Sequence, residues 1–157
     1  MKISIITVCY NSSKTIERTF KSIKDQTYKD IEYIVVDGGS KDETINIVKQ
    51  YEDLIDEWVS ESDKGLYDAM NKGIKMATGD IIGILNSDDI LYDNHVLENI
   101  AYFHKTNDID ASVGDIIQFN EEGKTIRKYS AANWKSQKLK IGFMPPHPAI
   151  FFRRNLF

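Results

Sequence analysis

The 157-residue chain reads as an α/β protein: a doubly wound, mostly parallel sheet followed by an antiparallel hairpin. Three observations lead there. Apolar β-branched runs and amphipathic helical stretches alternate four times up to about residue 105 with short connections, the pattern of β-α-β units with right-handed crossovers. The first run, Ile3 to Cys9, is almost continuously apolar, as a strand covered on both faces must be. Past about residue 108 the rhythm changes to closely spaced strands with a polar turn between them, which predicts a hairpin.

Each element has its own signal. After strand Ile3–Cys9, Asn11-Ser12-Ser13 offers helix caps, and Ile16, Phe20 and Ile23 recur at helical spacing up to a helix end near Gln26. Tyr33 to Val36 is the second strand, ending at Asp37. Ser40-Lys41-Asp42-Glu43 has the S-x-x-E form of a reciprocal capping box and opens a helix to about Tyr51. Glu57–Ser60 is a short third strand. A helix from Gly65 to Ala77 puts Leu66, Met70, Ile74 and Ala77 on one face, with Gly79 ending it. Ile81–Leu85 is the fourth strand and Asn94–Lys105 the fourth helix. Ala111–Phe119 and Thr125–Ser130 form the hairpin around Asn120-Glu121-Glu122-Gly123. Trp134–Ile141 predicts a short helix, Pro145-Pro146-His147-Pro148 breaks structure, and Ala149–Phe152 is a last strand. Another element begins at Arg153-Arg154-Asn155-Leu156-Phe157.

Composition narrows the function. With 41% hydrophobic and 28% charged residues the chain has the make-up of one compact globular domain over residues 1–157, without repeat or linker. The net charge is −4, and apart from Arg153-Arg154 no segment concentrates basic residues, which argues against a nucleic-acid partner. No apolar run approaches the roughly 20 residues of a membrane span, and MKISIITVCYN lacks a leader's cleavage site, so a cytoplasmic location is expected. Cys9 is the single cysteine. That excludes an internal disulfide and a cysteine-built zinc site and leaves Cys9 as a small strand hydrophobe.

In open parallel sheets ligands bind beyond the carboxyl ends of the strands. That rim collects Thr7, Cys9, Tyr10 and Asn11 after the first strand, Asp37 after the second, Asp63 and Lys64 near the third, and Asn86, Ser87, Asp88 and Asp89 after the fourth. A solvated turn explains any one of these; four polar or acidic strand ends on one edge point to a site. Adjacent carboxylates at a strand end suit a hard divalent cation, Mg²⁺ or Mn²⁺, that shares its shell with substrate phosphates. Neither G-x-x-x-x-G-K-[ST] nor G-x-G-x-x-G is present, so a P-loop nucleotidase or a dinucleotide dehydrogenase lacks its phosphate cradle.

Four ordered stretches, ISIITVCYN, YIVVDGGSKDET, ESDKGLYDAMNKGIKMATGD and GILNSDDIL, together resemble family 2 glycosyltransferases of the GT-A fold over roughly residues 1 to 105. GFMPPHPAIFFRR resembles the strand that precedes the acceptor half in bacterial enzymes of surface polysaccharide assembly. The resemblance implies a donor half at 1–105 and the start of an acceptor half at 106–157, cut short by the end of the chain. It implies a UDP-sugar donor, a glycan or lipid-linked saccharide acceptor, and Mn²⁺ or Mg²⁺ as cofactor. Association with a membrane surface would follow from a lipid-linked acceptor.

By the same resemblance Thr7, Tyr10 and Asp37 hold the nucleoside, Asp37 accepting a uracil N–H, and Asn86, Ser87 and Asp88 face the donor, with Asp88 and Asp89 on the metal. Three departures stand out. The acidic motif, usually D-x-D, reads Asn86-Ser87-Asp88-Asp89, giving up one charge. V-D-D-G-S reads Val36-Asp37-Gly38-Gly39-Ser40, so one acid is missing. A-R-N-x-G reads Ala69-Met70-Asn71-Lys72-Gly73, with Met70 unable to counter phosphate charge; Lys64 is the cation that could, unless it is only an exposed loop lysine. Asp68 and Asn71 either line the donor cleft or cap neighbours. Family members invert the anomeric carbon in one displacement, with a carboxylate base in the acceptor half. None of Asp93, Glu98, Asp108, Asp110, Asp115, Glu121 and Glu122 matches that motif, and His147 between prolines reads as structural, so the base is unassigned. Two further readings stay open: a nucleotide-sugar binding module without its own base, and a nucleotidyltransferase, whose Gly-rich basic loop Tyr10-Asn11-Ser12-Ser13 does not provide.

Overall fold

In the computed structural model, which describes residues 1–120, 122–142 and 144–157 and His147 by its backbone, the axis of the molecule is β1 (Ile3–Cys9), buried at every position. Glu121 of the expected turn, Phe143 of the last motif and the His147 side chain lie outside the described residues. β1 is followed by α1 (Ile16–Lys24), β2 (Ile31–Asp37), α2 (Thr44–Gln50), β3 (Glu57–Ser60), α3 (Leu66–Met76), β4 (Ile81–Ile84) and α4 (Val96–Thr106). β5 (Ala111–Val113), β6 (Ile116–Phe119), β7 (Thr125–Tyr129) and β8 (Ile150–Arg153) complete the set.

The main sheet has the order β3-β2-β1-β4-β8-β5. β1 pairs in parallel with β2 and β4, and β2 with β3, while β8 runs antiparallel to β4 and β5. The chain winds outward from β1 to β3, then returns through α3 to lay β4 on the other side of β1. That reversal is a topological switch point, the place in open α/β sheets where ligands bind beyond the carboxyl ends of the strands. The register sets Cys9, Asp37 and Ser60 side by side at the carboxyl ends of β1, β2 and β3.

Side-chain alternation divides the core. Ile3, Ile5 and Cys9 meet Ile16, Phe20 and Ile23 of α1, Val48 of α2 and Leu97 of α4, while Ile6 and Val8 meet Ala69 and Met70 of α3. Both faces of the parallel sheet are covered, which is why its strands read as unbroken apolar runs.

Several details correct the expectations. The helix starting after Asn11-Ser12-Ser13 begins at Ile16 with Thr15 at its cap, because Asn11 and Ser12 are engaged in joining the rim loops. The capping box does not form. Ser40 donates to Asp37, Glu43 accepts from Asn46 at 2.7 Å, and Asp42 instead takes the Thr44 N–H at 3.0 Å. α3 buries Ala69, Met70 and Gly73 while Leu66 is exposed. A Cβ on Gly73 would stand 2.3 Å from Ile6 Cγ2, so the small residues decide which face seats on the sheet. Gly79 follows a helix already ended at Met76; its own constraint is β1, where a Cβ would meet Ser4 N at 2.8 Å and Lys2 O at 2.9 Å. The run Ala111–Phe119 splits at Gly114-Asp115: β5 joins the main sheet, and β6 leaves to pair with β7 as the expected antiparallel hairpin. Ser136–Ile141 is a 3₁₀ helix. Among the described residues no helix is long and apolar enough to cross a membrane.

Candidate functional site

The turn after β4 is built by two hydrogen bonds of its own and two from neighbours. Asp89 N–H donates to Asn86 O at 3.0 Å, and Asn86 Nδ2 donates to Asp89 Oδ2 at 2.9 Å. From α1, Thr19 Oγ1 donates to the Asp89 carbonyl at 2.8 Å. Ser87 is buried, its hydroxyl 2.8 Å from that of Ser12 in the loop after β1. The turn is thus clamped from both sides, leaving Asp88 exposed with no hydrogen bond or ion pair to a described residue. Asn86 Oδ1 is buried and has no hydrogen-bond partner. An orphaned acceptor of that kind costs free energy unless a ligand or water meets it.

The loops after β1 and β2 are also tied together. Asn11 takes the left-handed conformation, φ 50°, which Asn tolerates better than most residues. In that pose its N–H donates to Ser40 Oγ at 2.7 Å and its Oδ1 accepts the Lys41 N–H at 2.9 Å. Ser12 N–H donates to Thr44 Oγ1 at 2.7 Å.

These contacts separate the sequence-predicted residues into two groups. Asp37 does not present a free carboxylate. It is 1% exposed, and Oδ2 accepts Gly39 N–H at 3.0 Å, Ser40 N–H at 2.9 Å and Ser60 Oγ at 2.7 Å, while Oδ1 takes the Ser40 hydroxyl. With its lone pairs spent on the fold, the expected bond to a uracil N–H has no acceptor there. The Cys9 thiol beside it is pushed up by burial and by the Asp37 charge, so it stays a neutral core group. Thr7 is fully buried with its hydroxyl 2.9 Å from the Tyr33 phenol, turned into the core and away from the rim. Tyr10, Lys64 and Asp88 are exposed at the rim; Asn71 is exposed on α3, and the Asn86–Asp89 turn lies at the end of β4. Lys64 makes no ion pair with a described residue. Asp68 is committed to the Lys64 N–H at 3.1 Å and to Lys72 at 3.5 Å, which hold its carboxyl below its usual range.

A divalent cation fits the donor set as a shared ligand. Asp88, Asp89 and Asn86 offer hard oxygens within four residues, and the buried Asn86 Oδ1 lacks a partner. Among the described residues no group of three or more His, Cys, Asp or Glu could hold a metal by itself. Mg²⁺ and Mn²⁺ do not need one, since they complete their shells with water and substrate phosphate.

The fold and the acidic turn at its switch point define a GT-A domain, the fold shared with the solved glycosyltransferases it resembles. The sequence profile described as Glycosyl transferase family 2 matches residues 4–156, and the chain belongs to that family. It is 34% identical over 160 residues to the PGL/p-HBAD biosynthesis glycosyltransferase of Mycobacterium bovis (strain BCG / Pasteur 1173P2), a match covering 98% of this chain and 60% of the relative. The chain therefore spans about three fifths of the length of that curated relative. TarS 1-349 of S. aureus, solved in complex with UDP, superposes with a TM-score of 0.78 at 25% identity over 99% of this chain and 48% of that TarS 1-349 chain. The mannosyltransferase PcManGT from Pyrobaculum calidifontis, in complex with GDP-Man and Mn²⁺, gives 0.67 at 25% identity over 74% of this chain and 36% of its own.

Sequence reasoning missed the clamps, Ser12, Thr19, Ser60 and Thr44. Their one signal was a polar residue inside an otherwise apolar stripe, as at Thr19, which is fully buried.

Proposed function

We propose that this chain is the donor-binding part of a metal-dependent, inverting glycosyltransferase that moves a sugar from a UDP-sugar to a hydroxyl of a glycan or lipid-linked saccharide. The observation that carries this reading is the clamped Asn86–Asp89 turn at the switch point, with an exposed carboxylate and a buried acceptor that has no partner. The UDP complex of TarS and the Mn²⁺ complex of PcManGT support the donor and the metal class.

In this reading Asp88 and Asp89 would hold Mn²⁺ or Mg²⁺, and the unpartnered Asn86 Oδ1 would accept a hydrogen bond from the nucleotide or a water beside it. When bound, the metal offsets the negative charge that grows on the departing diphosphate. Lys64 at the rim supplies a second positive group for the same charge. Tyr10 covers the nucleoside, and Ser12 and Ser87 keep the loops after β1 and β4 at a fixed spacing, so the donor's two ends are oriented before any bond breaks. The acceptor hydroxyl attacks the anomeric carbon on the face opposite the diphosphate and passes its proton to a carboxylate base. A lipid-linked acceptor would bring the chain to the cytoplasmic face of a membrane.

A second reading, nucleotide-sugar binding without turnover, is favoured by one observation. The described carboxylates beyond Asp89 that have partners serve local structure: Asp93 accepts the His95 N–H, Glu98 binds Thr27 and His95, Asp108 pairs with Arg153 and Asp115 accepts the Ala131 N–H. Incubation with a panel of UDP-sugars and Mn²⁺ separates the two. Release of UDP supports the enzyme, binding without release supports the module, and absence of UDP binding overturns both.

A further inference from the structure

Gly38 and Asp63 are packed as a pair. A Cβ built on Gly38 would lie 2.5 Å from Asp63 Oδ2, 3.2 Å from Asp63 Cγ and 3.5 Å from Tyr10 Cδ2. The Asp63 carboxylate therefore stands where any other side chain at position 38 would begin, beside the Tyr10 ring. It arrives from the loop between β3 and α3, 25 residues further along the chain, into the place where V-D-D-G-S would have carried its second acid. Asp63 Oδ1 accepts the Gly65 N–H at 2.8 Å, which fixes the carboxylate within its own turn. Asp63 Oδ2 takes no hydrogen bond from a described residue. Tyr10 is 60% exposed. The rim between the ends of β1 and β2 thus offers one open aromatic ring and one fixed, single acceptor oxygen.

We infer that Asp63 reads the nucleobase of the donor, accepting the imide N–H of uracil on Oδ2 while the base lies against Tyr10. The inference rests on the UDP-sugar reading above. Uracil carries a single N–H at its pairing edge, which matches one acceptor. Cytosine has a lone pair at the same ring position and would face the carboxylate with repulsion. Guanine presents two adjacent N–H groups, and with Asp63 Oδ1 occupied by Gly65 the second is left poorly met. Gly38 is part of the device, because the absent Cβ is what admits the carboxylate. Asp37, with its oxygens spent inside the fold, is excluded from the role.

Calorimetric titration of the chain and of Asp63→Asn and Gly38→Ala with UDP, CDP and GDP, all in the presence of Mn²⁺, tests this, with circular dichroism reporting the fold of each variant. The unaltered chain prefers UDP over CDP and GDP by about tenfold or more, the range of one hydrogen bond to a charged group. Asp63→Asn keeps the Gly65 contact through its carbonyl and turns an N–H toward the base, so UDP weakens about tenfold and the UDP-to-CDP preference narrows or inverts. Gly38→Ala, whose methyl displaces the carboxylate, loses UDP affinity while its far-UV spectrum is retained. A UDP-to-CDP ratio unchanged by Asp63→Asn overturns the assignment of Asp63 and leaves the donor site standing. Failure of the unaltered chain to bind any of the three nucleotides overturns the donor reading and this inference with it.

Discussion

At the scale of single residues, Asp37 marks the difference between a polar residue at a rim and a polar residue for a ligand. Its position after an apolar strand was legible from sequence, but its five protein donors, the four above and the Cys9 thiol at 3.6 Å, come from three strands and loops, which no local pattern reveals. Their consequence is structural. Asp37→Ala leaves Gly39 N–H, Ser40 N–H and two serine hydroxyls without their acceptor, and a loss of about 2–3 kcal/mol is expected. A urea midpoint equal to that of the unaltered chain would contradict it. Thr19→Val is the milder counterpart, removing only the bond to the Asp89 carbonyl. It should cost about 1 kcal/mol and weaken metal-dependent UDP binding without altering the far-UV spectrum. Asn86 was recognised as a departure from the acidic motif; that its amide would hold Asp89 while its oxygen stayed buried and unmet depended on the fold of the turn.

At the scale of elements, the strands were readable and the helix termini were not. A strand buried on both faces has to be largely apolar, so Ile3–Cys9 coincides with its sequence reading; the short edge strand Glu57–Ser60, exposed at both ends, also matches its reading. Helix caps failed because Ser, Thr, Asn and Asp in these loops bond across to other loops as readily as to their own helix. α3 shows a second blind spot. Counting large apolar residues favoured Leu66, yet the helix seats on its small residues, with Gly73 over Ile6. Gly73→Ala should therefore destabilise by about 1–3 kcal/mol through overpacking, although Ala is the better helix former. A raised thermal midpoint in that variant would show that the interface has slack.

At the scale of the whole molecule, two buried groups set the pH range of the fold. Glu32 lies under the sheet's opposite edge with Lys2, Ser4 and Thr78. Burial works against its charge, but the bonds from Lys2, Ser4 and Thr78 prevail and hold it at about 2, below its ordinary 4.5. A depressed carboxyl contributes fully above its unfolded value, and that contribution is lost as the pH falls from 4.5 toward about 2. His104, on α4 and 1% exposed against Ser112 of β5, is lowered from 6.5 by burial and then by the Arg153 charge. The unfolded chain takes up a proton that the buried ring resists, so stability falls as the pH drops below 6.5. Thermal melts should show both limbs, with His104→Gln flattening the nearer one and Glu32→Gln the acid one; unchanged profiles would remove these assignments. Pairings such as Glu32 with Ser4, or Gly38 with Asp63, lie 20 or more residues apart and are invisible to periodicity. What sequence did convey at this scale was the layout itself, and the rule that its strand ends share one rim. In the function proposed above, this rim binds UDP through a metal held by the turn after β4. Titrating UDP with and without Mn²⁺ tests it on the unaltered chain and on Asp88→Ala: the expected result is binding that requires Mn²⁺ and disappears in the variant, and equal UDP affinity in all four titrations would contradict the account.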